Sequence, residues 1–236
     1  MTAIITYFNK SDNKAIISCD NVGKTDSGYE ITDKCYCLFS RFYAAVYGPQ
    51  LLIDAIFIAK DYEEFDNIVK PKNVDELISV LTCLYKTRIE YYFKHAKNEY
   101  CDPDKIQEII IYDSKVHQML KVSFGNPFDR EHPFVRPCKE ILSEGINYFS
   151  LFNRFNKPDI ETSKFIDNPK AISNKLFNEL NSKIENSSTS KFESFPDKVG
   201  TVGSFFERNK ESFTYESAFT TYREICEQFE RSNEKL

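Results

Sequence analysis

The sequence predicts an α+β protein in which helices pack on antiparallel sheets. Strand signals occur as neighbouring pairs joined by short polar turns, which is typical of antiparallel hairpins. Helical signals follow these pairs in blocks, without the strand–helix–strand alternation that indicates a parallel sheet. The chain has 236 residues, of which 41% are hydrophobic. That is enough to bury one large core or two small ones, and it excludes a disordered or fibrous protein.

Four strands are predicted at the start of the chain. Residues 3–8 and 15–20 are apolar, β-branched runs separated by a Ser-Asp-Asn turn, so we expect a hairpin. Residues 35–39 and 43–47 flank a short polar step and predict a second hairpin.

Two helices are predicted next. Gly48-Pro49 ends the last strand and begins a helix, because proline fits the first helical position, where its missing N–H is not needed. Apolar residues at 51, 52, 55, 56 and 59 follow at helical spacing. A broad apolar stripe over 74–95 predicts the second helix. We expect both helices to pack on one face of the sheet.

The later part of the chain has weaker signals. Residues 107–112 and 118–123 predict a third hairpin, residues 140–155 and 169–184 predict two further helices, and a last strand is expected near 199–208. Apolar residues at helical spacing then predict a C-terminal helical extension of about 214–236. No internal repeat is present, so the expected organisation is a single domain over 1–236.

Composition excludes several classes of function. Thirty-one basic and 36 acidic side chains give a formal charge of −5, and the absence of a long basic block predicts that nucleic acid is not a partner. No apolar stretch approaches the roughly 20 residues that span a bilayer, and the first residues do not resemble a signal peptide. We therefore expect a cytoplasmic protein that has no membrane partner.

The cysteines and histidines do not predict a metal site. Seven scattered cysteines indicate reduced thiols, because they lack the dense spacing of a disulfide scaffold. Cys35 and Cys37 form a close pair, but two further zinc ligands are not nearby in the sequence. The three histidines, His95, His117 and His132, lie in unrelated contexts. We predict no metal and no cofactor.

Thr2 is the candidate nucleophile. It follows Met1 and opens the first predicted strand. A threonine hydroxyl needs a base beside it, and removal of Met1 would give Thr2 a free α-amino group with a reference pKa of roughly 7.7 to 8.0 within reach of its own Oγ. We expect aminopeptidase trimming to remove Met1. Met-Thr is also an ordinary translation start, so the threonine alone does not predict catalysis.

A set of residues gives Thr2 a context. Thr2 begins Thr-Ala-Ile-Ile, Asp20 ends the second predicted strand, Lys34 precedes the third, and Gly48 follows Ala-Ala-Val-Tyr before a helix. In this order the chain resembles the N-terminal nucleophile (Ntn) hydrolases, specifically proteasome β-subunits and related bacterial ring proteases of the threonine peptidase type. The stretch Lys-Val-Gly-Thr that begins at residue 198 is similar to a late strand of that family.

The resemblance implies a fold and a role for each residue. The fold would be a four-layer αββα sandwich, in which two antiparallel sheets are flanked by helices. Thr2 Oγ would attack a carbonyl while its amine transfers the proton. Lys34 would keep that amine neutral by like-charge repulsion, Asp20 would pair with Lys34, and the Gly48 N–H would donate to the oxyanion.

Three functions remain open from the sequence. The first is an amide hydrolase that acts on a peptide or protein substrate within a homo- or hetero-oligomer. The second is a catalytically inactive structural or scaffold subunit that retains Met1. The third is an acylase of the same fold that acts on a small amide. An ATPase partner is compatible with such an assembly, although no residue of the chain indicates one.

Overall fold

The computed structural model describes residues 2–25, 28–47, 52–53, 55–56, 58–59, 70–95, 108–124, 137–153, 155–187, 198–210 and 212–217. Two units are distinguished, one formed by Met1–Cys35 with Glu144–Leu236 and the other by Tyr36–Ser143.

The described strands and helices, in chain order, are β1 (Ala3–Asn9), β2 (Lys14–Asp20), β3 (Val22–Thr25), β4 (Gly28–Ile31), β5 (Cys35–Leu38), β6 (Phe42–Tyr47), α1 (Val74–His95), β7 (Glu108–Asp113), β8 (Gln118–Ser123), β9 (Cys138–Ile141), β10 (Gly145–Ser150), α2 (Thr162–Asp167), α3 (Pro169–Ser187), β11 (Val202–Arg208) and β12 (Phe213–Glu216). A 3-10 turn over Leu151–Asn153 follows β10.

The first unit contains a five-stranded sheet with the order β10-β1-β2-β11-β12 and a small β3-β4 hairpin. All its described pairings are antiparallel. Ile5 and Ile16 share one core cluster with Phe177 and Leu180 of α3. This packing covers one face of the sheet with a helix, as the alternation of side chains along a strand allows.

The second unit contains a five-stranded sheet with the order β5-β6-β7-β8-β9. Leu77, Leu81 and Tyr85 of α1 share a core cluster with Val46 and Ile111 of the sheet. Helical backbone is also described at 52–53, 55–56 and 58–59, and the buried apolar residues there belong to the same cluster. Burial of the stripe on α1 is therefore what fixes that helix on the sheet.

An arginine–aspartate pair joins three parts of the second unit. Arg41 Nε and Nη2 donate to the two oxygens of Asp113 at 2.8 and 2.6 Å. Arg41 Nη1 donates to the carbonyl oxygen of Lys72, just before α1. This bidentate geometry connects the turn before β6 with the end of β7.

The hairpin predictions are confirmed, and one helix prediction is wrong. The β1–β2 and β7–β8 hairpins form as expected, β5 and β6 are neighbours, and the helix predicted over 169–184 is α3. Residues 140–155, however, include the end of β9, all of β10 and the 3-10 turn. Ile146 and Tyr148 of β10 pair with Tyr7 and Ile5 of β1. Cross-strand pairing therefore decides the conformation of apolar residues whose spacing also suits a helix.

The predicted fold class, an α+β four-layer αββα sandwich, is wrong. The described residues contain more strand than helix: they form sheets of five, two and five strands, with helices α1, α2 and α3 and further helical backbone at 52–53, 55–56 and 58–59. No strand was predicted between residues 20 and 35, where the β3-β4 hairpin forms, and residues 213–216 form β12 at the start of the predicted terminal helix. The rest of that helix lies outside the described residues, so the terminal helix and the single domain stay predictions.

Candidate functional site

Asp20 is the centre of the candidate site, and it is fully buried at the end of β2. Its Oδ1 accepts hydrogen bonds from the Ala3 N–H and from Lys34 Nζ, each at 2.8 Å. Its Oδ2 accepts from the N–H groups of Val22 at 3.2 Å and Gly200 at 3.1 Å. Four donors from different segments of the first unit therefore converge on one carboxylate, whose negative charge each of them stabilises.

Lys34 is the cation of the site, and its side chain is only 2% exposed. Its Nζ contacts Asp20 Oδ1 at 2.8 Å and donates to the Val22 carbonyl oxygen at 2.6 Å. Its backbone N–H donates to Ser204 Oγ at 3.1 Å, and Ser204 donates in turn to Asp33 Oδ1 at 3.0 Å. A buried pair of this kind is costly to break, because the remaining partner would be an uncompensated charge.

Thr2 lies immediately before β1 and is 9% exposed. The Ala3 nitrogen, which is bonded to the Thr2 carbonyl carbon, and the Lys34 ammonium share the same Asp20 oxygen. These two nitrogens are therefore separated by no more than twice 2.8 Å. Three of the four candidate residues thus lie together. Gly48, like Met1, lies outside the described residues.

A bulge in β11 shapes the rim of the site. Asp20 pairs with Val202 and Cys19 pairs with Ser204, so the register shifts between these two positions of β11. A bulge of this kind redirects backbone groups beside a strand end. Gly200 precedes the bulge and directs its N–H to Asp20.

Two glycines allow the close approach of this segment. A Cβ added at Gly200 would lie 2.0 Å from Asn21 Oδ1 and 2.7 Å from Val22 Cγ2, and one added at Gly203 would lie 2.2 Å from Asn21 Cβ. No other residue type therefore fits at either position without displacing residue 21 or 22. Neither the contact of Gly200 with Asp20 nor that of Ser204 with Asp33 was predicted from the sequence. Glycines at 200 and 203, in a chain with only seven, were the available signal.

Cys19 does not serve as a nucleophile here. It lies beside Asp20 and is fully buried. Burial raises the pKa of the Cys19 thiol well above its ordinary value, and a hydrogen bond with the Cys35 side chain adds to the effect. The thiol therefore stays protonated at neutral pH, and the thiolate is the form that reacts.

The described ranges contain neither a metal-binding cluster nor a membrane-spanning helix. Within them, no group of three or more histidine, cysteine, aspartate or glutamate side chains is arranged to bind a metal ion. Of the helices in the same ranges, none is both long enough and apolar enough to cross a membrane.

Comparisons with known proteins find a similar fold among solved structures. No family model and no curated protein matches the chain. Among solved structures, the chain is similar to Anbu, an ancestral β-subunit, from Yersinia bercovieri, with 8% identity, a TM-score of 0.50, and coverage of 100% of this chain and 98% of that one. An Anbu mutant from Hyphomicrobium sp. strain MC1 is also 8% identical and covers 100% and 98%, with a TM-score of 0.44.

The first of these likenesses shows a fold related to that of proteasome β-subunits. At 8% identity it shows the fold alone, since one fold hosts many functions. The recognition of the chain as an Ntn hydrolase of the threonine peptidase type is wrong. The structural neighbour with a TM-score of 0.50 is Anbu from Yersinia bercovieri, at only 8% identity, and the two five-stranded sheets point to a fold other than the predicted sandwich. The motifs behind that recognition mark strand ends, which do not determine how layers are arranged.

Proposed function

We propose that the chain is a threonine-type amide hydrolase that cleaves peptide or protein substrates through an acyl-enzyme on Thr2, after removal of Met1. One observation carries the proposal: Asp20 Oδ1 binds both the Lys34 ammonium and the N–H that follows Thr2. A buried, fixed cation is thereby held beside the residue whose amine and hydroxyl would do the chemistry.

The proposed reaction uses Thr2 as both nucleophile and base. The neutral α-amine takes the Oγ proton as Oγ bonds to the substrate carbonyl carbon. The C–N bond of the substrate then breaks, its nitrogen receives that proton, and an ester remains on Thr2. Water then attacks the ester and gives a proton to the Thr2 amine. The ester bond breaks, and Thr2 Oγ takes that proton back from the amine. The substrate leaves as an amine and a carboxylic acid.

Lys34 and Asp20 would tune this reaction by charge. A nearby ammonium disfavours a second positive charge and so favours the neutral, basic form of the Thr2 amine. Asp20 fixes the ammonium, and its four hydrogen bonds leave little freedom for the carboxylate to move. The Gly48 N–H remains the predicted oxyanion donor, a contribution of about 2.7 to 4 kcal/mol to transition-state stabilisation in other hydrolases.

A second candidate function is a non-catalytic subunit that retains Met1. The observation that favours it is the 9% exposure of Thr2, since a nucleophile must be reached by its substrate. Assembly with further copies or other subunits is proposed for both candidates, and light scattering of the purified protein tests it.

The test combines intact mass with covalent labelling. We expect the mass of the mature chain to lack Met1, and we expect a β-lactone, which acylates activated threonine, to add once. Thr2→Ala should abolish the adduct and all turnover, Thr2→Ser should restore labelling, and Thr162→Ala, at an exposed threonine of α2, should leave it unchanged. A trimmed chain that takes up no lactone, or a Thr2→Ala variant that still does, contradicts the hydrolase.

Lys34 provides an independent test of the mechanism. Lys34→Ala should abolish turnover nearly as completely as Thr2→Ala, because the Thr2 amine would lose the neighbouring cation. The variant also leaves Asp20 unpaired, so folding must be checked by circular dichroism at the assay temperature. Wild-type turnover in a folded Lys34→Ala protein counts against the mechanism.

A further inference from the structure

The segment 198–201 supplies a donor to the candidate site, although it belongs to no strand. It lies between α3 and β11, and its Gly200 N–H reaches Asp20 Oδ2 at 3.1 Å. Backbone outside regular structure needs other partners to fix its orientation. Those partners determine whether the N–H points at Asp20.

Asn181 of α3 binds this segment at two points. Its Nδ2 donates to the Val199 carbonyl oxygen at 2.7 Å, and its Oδ1 accepts from the Val199 N–H at 2.8 Å. Asn174, two helical turns earlier on the same face, accepts from the Val202 N–H at 2.7 Å. Two amide side chains of one helix therefore bind the segment near its start and the first residue of β11 directly after it.

The Val199 carbonyl and the Gly200 N–H belong to the same peptide unit. In a trans peptide these two groups point in opposite directions, and no cis peptide occurs among the described residues. When Asn181 binds the carbonyl from the α3 side, the N–H must point away from α3, towards Asp20. A hydrogen bond at one end of the peptide also polarises the group at the other end.

The opposite side of the segment is tightly packed. The Asn21 N–H donates to the Thr201 carbonyl oxygen at 3.0 Å, and there is no room for a Cβ at Gly200. The peptide between Val199 and Gly200 thus lies between the Asn181 amide and residues 20–22. Loss of the Asn181 side-chain amide removes the hydrogen bonds that fix the rotation of this peptide on the α3 side, while the contacts with residues 20–22 remain.

We propose that Asn181 is a positioning residue of the candidate site, which acts through the Val199–Gly200 peptide to fix the Asp20 carboxylate. The expected effect of Asn181 on catalysis rests on the proposed function, in which Asp20 holds Lys34 beside Thr2. Asn181 does not contact Thr2 or Lys34 in the described hydrogen bonds, so its effect is indirect.

The test compares Asn181→Ala and Asn181→Asp with Asn178→Ala, an exposed asparagine on the same helix. Asn181→Asp is nearly isosteric and keeps the acceptor for the Val199 N–H, but it places a carboxylate against the Val199 carbonyl. In both Asn181 variants the Gly200 amide should exchange with solvent at least about tenfold faster, since a hydrogen bond to a charged group is lost. Its amide proton resonance should also move upfield.

Activity provides the second readout. Lactone labelling of Thr2 should slow about tenfold in the Asn181 variants, and kcat should fall with little change in KM, because no substrate contact is altered. Asn178→Ala should match the wild type in every measurement.

The outcomes separate this inference from the proposed function. Wild-type exchange and resonance position of Gly200 in both Asn181 variants would overturn the inference, and so would a general loss of the fold, which would make Asn181 a residue of the core. If the wild type itself takes up no lactone, the hydrolase proposal fails, while the Gly200 measurements still decide whether Asn181 orients this peptide.

Discussion

Asp20→Asn tests the electrostatics of the site most directly. The substitution keeps the shape of the side chain but removes its charge. Each carboxylate oxygen of Asp20 accepts two hydrogen bonds. In one orientation the new amide NH2 faces the Ala3 N–H and the Lys34 ammonium, and in the other it faces the N–H groups of Val22 and Gly200. Either orientation places a donor against two donors.

The expected loss of stability follows from burial. Lys34 is 2% exposed and Asp20 is fully buried, so solvent cannot replace the lost charge. Removing one partner of a buried ion pair costs about 3–5 kcal/mol. That is a large part of the roughly 5–15 kcal/mol by which a typical protein is stable. We therefore expect Asp20→Asn to lower the free energy of unfolding by about 3–5 kcal/mol.

Urea unfolding measures this change. The chain has no tryptophan and 14 tyrosines, so far-ultraviolet circular dichroism and tyrosine fluorescence are the two probes, and their agreement tests for a single transition. The control is Asp167→Asn, an exposed carboxylate at the end of α2, which should change stability by less than about 0.5 kcal/mol. A loss below about 1 kcal/mol for Asp20→Asn would show that the buried pair does not stabilise the fold as argued.

Three further predictions concern other parts of the molecule. The Tyr85 hydroxyl is buried and has no hydrogen-bond partner in the part of the chain that the structure describes, so Tyr85→Phe should raise the free energy of unfolding by up to about 1 kcal/mol at neutral pH. Burial also raises the pKa of Tyr85; the folded state keeps a proton that the unfolded state loses, so stability falls as pH rises above about 10, and chemical denaturation should show a smaller alkaline loss in the variant. Arg41→Lys removes the bidentate contact with Asp113 and should lower the free energy of unfolding by about 1–3 kcal/mol. An unchanged free energy of unfolding would contradict a stabilising role. Mass mapping after brief alkylation should find the exposed Cys83 modified and the buried Cys19 unmodified until the protein is denatured, and early modification of Cys19 would refute its burial.

Local signals predicted the elements that depend on local chemistry. The runs at 3–8 and 15–20 form β1 and β2, because two apolar, β-branched runs separated by a polar turn suffice to specify a hairpin of buried strands. The apolar stripe over 74–95 forms α1. The helix prediction over 140–155 was wrong because the apolar spacing there suits a helix or a strand, and only pairing with β1 decides between them.

Part of the candidate site was also predictable. Asp20 ends one strand and Lys34 immediately precedes another, so both could be singled out by position. Ser204 and Gly200 are distant from both in sequence, and the bulge in β11 brings them to the site. A bulge depends on the register between two strands, which no short stretch of sequence encodes.

The amino-acid sequence by itself determined the hairpins β1–β2, β5–β6 and β7–β8, the helices α1 and α3, and the identity of the residues able to act as nucleophile, cation and carboxylate. Only the tertiary structure decided that the Lys34 ammonium and the N–H that follows Thr2 meet at Asp20 Oδ1, that a peptide held by Asn181 completes the carboxylate's partners, and that the described sheets have five, two and five strands. The physical reason is range: propensity and periodicity act over a few residues, whereas a buried charge is stabilised by whichever donors the whole fold brings to it.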